Sequence, residues 1–151
     1  MRPSLVLLVL ALAACAPRPK APPGPPIALA DSDLVVAGIA YGADSSDVRR
    51  VLGAPAVIDS TSWRYEDIRI WFEGSKVHQM ALMTRRWTTA RGLRVGDAVD
   101  RVTDLYGPSC TEGAYTYCRT VGDDPDERGI MVQVENGVVT DIRLGAVFDL
   151  D

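Results

Sequence analysis

Apolar residues along the chain fall first at helical and then at strand spacing, and this succession occurs twice. Val48, Val51 and Leu52 stand at i, i+3 and i+4 behind Ser45 or Ser46, either of which can cap a helix. Gly53 stops that helix and Pro55 prevents its continuation. In the second succession Asp97 or its neighbour starts a helix. Val99, Val102, Leu105 and Tyr106 form its inward stripe, and Gly107-Pro108 ends it. Behind each helix the period becomes two. Trp63 and Tyr65 alternate with Arg64 and Glu66, and Ile68, Ile70 and Phe72 with Arg69, Trp71 and Glu73. Ile130, Val132 and Val134 alternate with Met131, Gln133 and Glu135. Such alternation predicts strands with one face buried and one wet. Glu73-Gly74-Ser75 and Asn136-Gly137 read as hairpin turns, the second carrying the strong Asn-Gly signal.

The two successions align residue by residue. Gly38-Ile39-Ala40-Tyr41-Gly42 recurs as Gly92-Leu93-Arg94-Val95-Gly96, 54 positions later, and Val48, Val51 and Gly53 match Val102, Leu105 and Gly107 at that offset. Ile68, Ile70 and Phe72 match Ile130, Val132 and Val134 at an offset of 62, as Val77, Met80 and Leu82 match Val139, Ile142 and Leu144. The added eight residues fit an insertion in the polar run from Gly122 to Arg128. The expected fold is therefore α+β: two tandem units, 31–86 and 87–151, each a short helix on about three antiparallel strands. Units of roughly 50 residues bury little surface, so a shared sheet or a packed interface between them is expected.

Ahead of the units, Met1-Arg2 carries one positive charge and Leu5 to Ala14 is unbroken apolar sequence. That run is shorter than the about 20 residues a membrane span needs. It has the form of an export signal, residues 1–14. Leu12-Ala13-Ala14-Cys15 resembles the lipobox of bacterial lipoproteins. The resemblance implies a diacylglyceryl group on Cys15 and membrane attachment through it; an ordinary export signal with an incidental cysteine is the alternative. Ala16 beside that cysteine implies, in a Gram-negative cell, sorting to the outer membrane. Residues 15–30 follow as a Pro-rich tether, stiff and without a core of its own.

The series Gly-aliphatic-x-x-Gly, then Val-x-x-x-Leu/Tyr-Gly with a nearby Pro, then strands ending in Gly-x-Val-x-x-Ile/Met, resembles the SmpA/OmlA (BamE-like) lipoproteins. In tandem it is similar to beta-lactamase inhibitory protein. The resemblance covers residues about 33 to 148 and rests on structural positions. It implies a scaffold or inhibitor working through an open sheet face and no catalyst.

Composition narrows the chemistry. With 16 basic and 20 acidic residues the net charge is −4, and no Lys/Arg cluster exceeds a pair such as Arg49-Arg50, so nucleic acid is not an expected partner. Beyond Cys15 there remain Cys110 and Cys118, which in an exported protein read as a disulfide. Closing that short loop would stabilise the chain by about 2.5 kcal/mol. A redox or metal pair is the alternative, without the C-x-x-C spacing or further ligands. His78, the single histidine, has Thr140 as its counterpart and lacks partners for a zinc site or a Cys–His nucleophile. Asp123, Asp124, Asp126 and Glu127 could hold calcium, but Pro125 interrupts them and a solvated hairpin tip is the simpler reading. No phosphate loop or nucleophile elbow is present, so no enzyme activity and no cofactor are expected.

The expected working surface is the sheet face turned away from the helices. Parity places Arg64, Arg69 and Trp71 there with Gln133 and Arg143, beside Glu66, Glu73, Glu135 and Asp141. Trp71 among charged neighbours is either a binding anchor or a residue packed under a neighbouring strand. Trp87, in Arg85-Arg86-Trp87, is expected to cap the junction between units. Two functions follow. One is an envelope-anchored scaffold that binds an envelope protein, at the periplasmic face of the outer membrane. The other is an inhibitor of a soluble enzyme, acting through the 122–128 loop.

Overall fold

The computed structural model describes residues 28–107, 117–121 and 128–146, with Tyr117–Thr120 described by backbone alone. Cys15, Cys110, the side chain of Cys118 and the acidic residues 123–127 lie outside the described residues. The fold is α+β. A single 3-10 turn, Asp31–Asp33, leads into a small hairpin of β1 (Val35–Val36) and β2 (Ile39–Ala40). Helix α1 (Ser45–Leu52) precedes β3 (Val57–Ile58), β4 (Ser62–Arg64), β5 (Ile68–Glu73) and β6 (Lys76–Leu82). Helix α2 (Val99–Tyr106) precedes β7 (Tyr117–Thr120), β8 (Arg128–Glu135) and β9 (Val138–Ala146).

All seven strands after β2 form one antiparallel sheet, in the order β3-β4-β5-β6-β9-β8-β7. The two halves of the chain meet at β6 and β9, where Met80 lies opposite Leu144 and Leu82 opposite Ile142. One face of the sheet carries the core. Ile68, Ile70, Met80, Leu82, Ile130, Val132, Ile142 and Leu144 are buried there with Val48 of α1 and with Val102 and Tyr106 of α2. At about 25 cal/mol per Å² of apolar surface removed from water, this layer is the main source of stability.

Each helix is tied to the hairpin beside it by the same bonds. Gly42 N–H donates to Val77 O at 2.8 Å and Gly96 N–H to Val139 O at 2.7 Å. Ser45 N–H donates to Ser75 O and Val99 N–H to Gly137 O, at 2.8 and 2.9 Å. Asp44 bridges to Lys76, and Ala98 to Val138. Both hairpins also carry a register shift at matching places, between Trp71 and Phe72 and between Gln133 and Val134. The register steps over His78 in the first hairpin and over Thr140 in the second.

Several local expectations need correction. The N-cap residues are Asp44 and Ala98, and neither side chain makes a capping bond. The Asp97 carboxylate instead accepts from Arg94 N–H at 3.1 Å. Val51 and Val99 are 42% and 39% exposed, because an eight-residue helix turns only one narrow stripe, i and i+4, to the sheet. Tyr65 and Glu66 lie past the end of β4, in the bend before β5, so Glu66 is not on the far face of the sheet.

A polar network, unsuspected from the sequence, fastens the lead-in segment. Arg91 Nε and Nη2 donate to the Asp33 carboxylate at 2.7 and 2.6 Å, Nη2 also to Ala28 O, and Nη1 to Leu105 O at 3.1 Å. The guanidinium lies over the Tyr106 ring, 5.2 Å from its centre. Tyr106 O–H donates to Thr89 Oγ1 at 2.7 Å, and that oxygen accepts Leu93 N–H as well. The Arg91 hydrogen bonds hold the Asp33 carboxyl below the usual carboxylate range; burial works against them and the Ala30 N–H bond assists.

Candidate functional site: a tryptophan between two arginines

The face opposite the helices is built from cross-strand rows. Arg64, Arg69, Ala81, Arg143 and Met131 occupy one row, on β4, β5, β6, β9 and β8 in turn. The neighbouring row holds Ser62, Trp71, Gln79, Gly145 and Gly129. Neither helix lies on this face.

Trp71 is the centre of the arrangement. The Arg69 guanidinium sits 4.8 Å from the indole centre and that of Arg143 sits 5.7 Å from it. Arg143 reaches Trp71 from two strands away, which Ala81 on the intervening β6 permits by having only a methyl group. Each arginine is oriented by a partner. Arg69 donates from Nε and Nη2 to Ser62 Oγ, at 3.2 and 3.1 Å, and from Nη2 to Asp59 Oδ2 at 3.3 Å. Arg143 Nε donates to Asp141 Oδ2 at 3.1 Å. Contacts of this kind contribute about 0.5–1 kcal/mol each at exposed sites and more where water is excluded. The result is an aromatic anchor held in one orientation.

Of the five residues the sequence placed here, the structure brings together Arg69, Trp71 and Arg143. Arg64 is exposed, between Val57 of β3 and Arg69 directly across on β5. Like charges facing each other across strands oppose folding. Gln133 lies outside both rows, on β8 opposite Asp141 of β9, with its amide donating to Glu135 Oε1 at 3.3 Å. The expectation of a wholly wet face is corrected: Ser62, Gln79, Ala81 and Met131 on it are 1–5% exposed. Gln79 Nε2 donates to Ala146 O at 2.9 Å, a buried bond across the β6–β9 junction. Sequence reading missed the orienting groups Asp59 and Ser62, and placed Asp141 on this face without its role in orienting Arg143. Asp141 had a signal, since it stands two residues before Arg143 and shares its face.

His78 lies on β6, half-buried, with Nδ1 3.6 Å from Glu73 Oε2 and its ring 6.2 Å from that of Tyr41. Among the described residues no group of three or more His, Cys, Asp or Glu is placed to hold a metal ion. No helix among them is long and apolar enough to cross a membrane.

On the other side of the sheet is a cleft of about 240 Å³, between the last turn of α1, the bend 65–67 and the segment 86–87. Val51, Leu52, Tyr65, Ile68 and Trp87 supply its apolar wall, and Glu66, Asp67 and Arg86 its polar rim. Asp67 accepts from Arg86 Nη1 at 2.8 Å and from Thr84 O–H at 2.9 Å. Trp87 packs against the core, and its Nε1–H is buried without an acceptor among the described residues. An unpartnered buried donor costs about 1–3 kcal/mol. Burial raises the Tyr65 phenol above its ordinary value, partly offset by the charge of Arg49.

No protein-family model matches the chain, and no curated protein matches its sequence. Among solved structures, an extracellular protein containing an SCP domain from Bacillus anthracis is similar in fold, with a TM-score of 0.52 and 12% identity. The likeness covers 70% of this chain and 44% of that protein. At that identity it bears on the fold alone.

Proposed function

We propose that the chain is a membrane-anchored envelope lipoprotein whose α+β domain is a non-catalytic module that binds an envelope protein through the sheet face around Trp71. One observation carries the binding assignment: two guanidiniums, each oriented by a carboxylate, converge on one indole on the face away from both helices. Aromatic and arginine side chains held in place lose little freedom on binding, and these residue types dominate interface hot spots.

The anchor is read from Leu12-Ala13-Ala14-Cys15, and an outer-membrane location from Ala16. We read the architecture as two copies of one SmpA/OmlA-like unit joined edge to edge. Its support is the paired set of bonds at α1 and α2 and the paired register shifts, which recur at the two offsets found in the sequence.

The test is capture from solubilised membranes with a photo-crosslinking residue in place of Arg64, which is exposed and lies outside the Trp71 stack. A single crosslinked species that Trp71→Ala and Arg143→Ala each reduce at least about tenfold supports the reading. Binding unaffected by both substitutions rejects it. Lipidation is checked by mass spectrometry of the exported chain, where an unmodified Cys15 would remove the anchor.

A further inference from the structure

Residues 28–33 join the tether read from the sequence to the first strand, and few bonds hold them there. They lie outside both sheets, and four of the six are exposed, Leu29 and Asp33 being the buried ones. Their main-chain hydrogen bonds are local: Asp33 N–H donates to Ala30 O and Leu34 N–H to Asp31 O, at 2.8 and 3.0 Å. Among the described residues no main-chain bond ties 28–33 to another strand or to either helix. From Leu34 onwards the first hairpin grips the chain, since Leu34 O accepts from Tyr41 N–H at 3.1 Å.

Two arginines from the second half of the chain fasten this segment. Arg91 donates to Ala28 O and, through two nitrogens, to the Asp33 carboxylate, and is itself fixed by Leu105 O and the Tyr106 ring. Arg128 Nη1 lies 3.1 Å from Asp31 Oδ1, but the Asp31 side chain is 73% exposed, and an ion pair so open to water adds little. Arg91 is therefore the strongest polar fastening, because paired, charge-assisted bonds are the stronger kind. A strand ladder shares a load among many bonds. Here a pull arriving through residue 27 meets Ala28 first and falls on one guanidinium.

We propose that residues 28–33 are a strap that detaches as one piece, from Ala28 inwards, when the tether is loaded, while both sheets stay folded. Its use rests on the reading of Cys15 as a lipid anchor. Residues 15–27 reach at most about 45 Å, and the six of the strap add about 20 Å, so release lengthens the connection by nearly half. A partner bound at the Trp71 face supplies the pull, and the domain follows it beyond the reach of the closed form.

Native-state hydrogen exchange on the intact chain is the test, because a piece that opens by itself exchanges ahead of the fold. Three amides report on the strap: Ala30 N–H, which donates to Asp33 Oδ2 at 2.9 Å, and those of Asp33 and Leu34. They should exchange at least about tenfold faster than the paired amides of β6 and β9, at rates that urea barely changes, since little surface is exposed. Arg91→Ala should speed the three at least about tenfold further, and Arg128→Ala less than about threefold. Strap amides that match β6 and β9 in rate and in urea dependence overturn the proposal, as do strap rates unchanged by Arg91→Ala. A second measurement applies the load itself, between a handle at the start of the tether and one at the exposed position Arg94. Its first event should be a lengthening of no more than about 20 Å, at lower force in Arg91→Ala. Unfolding of the sheet as the first event rejects the strap. Failure of the anchor reading shows instead as an unmodified Cys15 in the mass spectrum, which neither measurement touches.

Discussion

The junction between β6 and β9 depends on one hydrogen atom. Gly145 has φ +113°, and a Cβ built there would fall on the carbonyl oxygen of His78 and 3.0 Å from Cα of Gln79. Both contacts are main chain on β6, so no flexible side chain can move aside. Gly145→Ala therefore incurs two costs. The backbone conformation is one that essentially only glycine adopts, costing roughly 1–3 kcal/mol. Overpacking against rigid backbone adds about 1–3 kcal/mol. A loss of about 2–6 kcal/mol is a large part of the 5–15 kcal/mol total typical of a domain. Urea unfolding followed by tryptophan fluorescence measures it. At an m of roughly 1.5 kcal/mol/M, a 3 kcal/mol loss lowers the midpoint by about 2 M. Gly53→Ala is the control, because Gly53 has φ +79° with nothing within 4 Å of its would-be Cβ. It should lose only about 1–3 kcal/mol, from a backbone conformation (φ 79°, ψ −153°) that essentially only glycine adopts, with no overpacking added. If Gly145→Ala shifts the midpoint no more than Gly53→Ala does, the close approach of β6 and β9 is refuted.

Four further outcomes follow from the buried polar groups and the exposed stack. Arg91→Ala removes one partner of a pair whose side chains are 19% and 11% exposed, and should cost about 3 kcal/mol by thermal melting at neutral pH. The folded state holds the Asp33 carboxyl below its ordinary value of 3.8, so its contribution is present above that value and lost as pH falls through the lower folded one. Asp33→Asn should accordingly flatten the acid limb of stability against pH, and an unchanged limb would show that another group governs it. Tyr106→Phe leaves the buried Thr89 Oγ1 without its 2.7 Å donor and should lower stability by about 1–2 kcal/mol in urea. Trp71→Ala removes two guanidinium contacts of about 0.5–1 kcal/mol each, so stability should fall by under about 2 kcal/mol while partner capture is lost.

Both helices and both hairpins were legible because their signals are local. Gly53 and Gly107 end helices where the sequence says they should, and Asn136 and Gly137 take φ 52° and 78° as a two-residue hairpin requires. Parity carried the far face as far as Arg69, Trp71 and Arg143, and failed at Glu66, where the strand had already ended. It also could not show that Gln79, Ala81 and Met131 are covered, since alternation reports side and not depth. The Arg91–Asp33 pair spans 58 residues and the Arg143–Trp71 contact crosses a strand, so neither leaves a trace in spacing.

The single sheet has a consequence for how the chain folds. Each half closes through hairpins with short turns, but β6 and β9 join residues 60 or more positions apart, as in Leu82 opposite Ile142. Local hairpins form faster than distant pairings, so the two half-sheets precede their union. Until that union β6 and β9 are both unpaired edges, and at high concentration β6 of one molecule can take β9 of another. Refolding from concentrated denaturant should thus produce a domain-swapped dimer through residues 83–98, the connection between the halves, and dilution during refolding should suppress it.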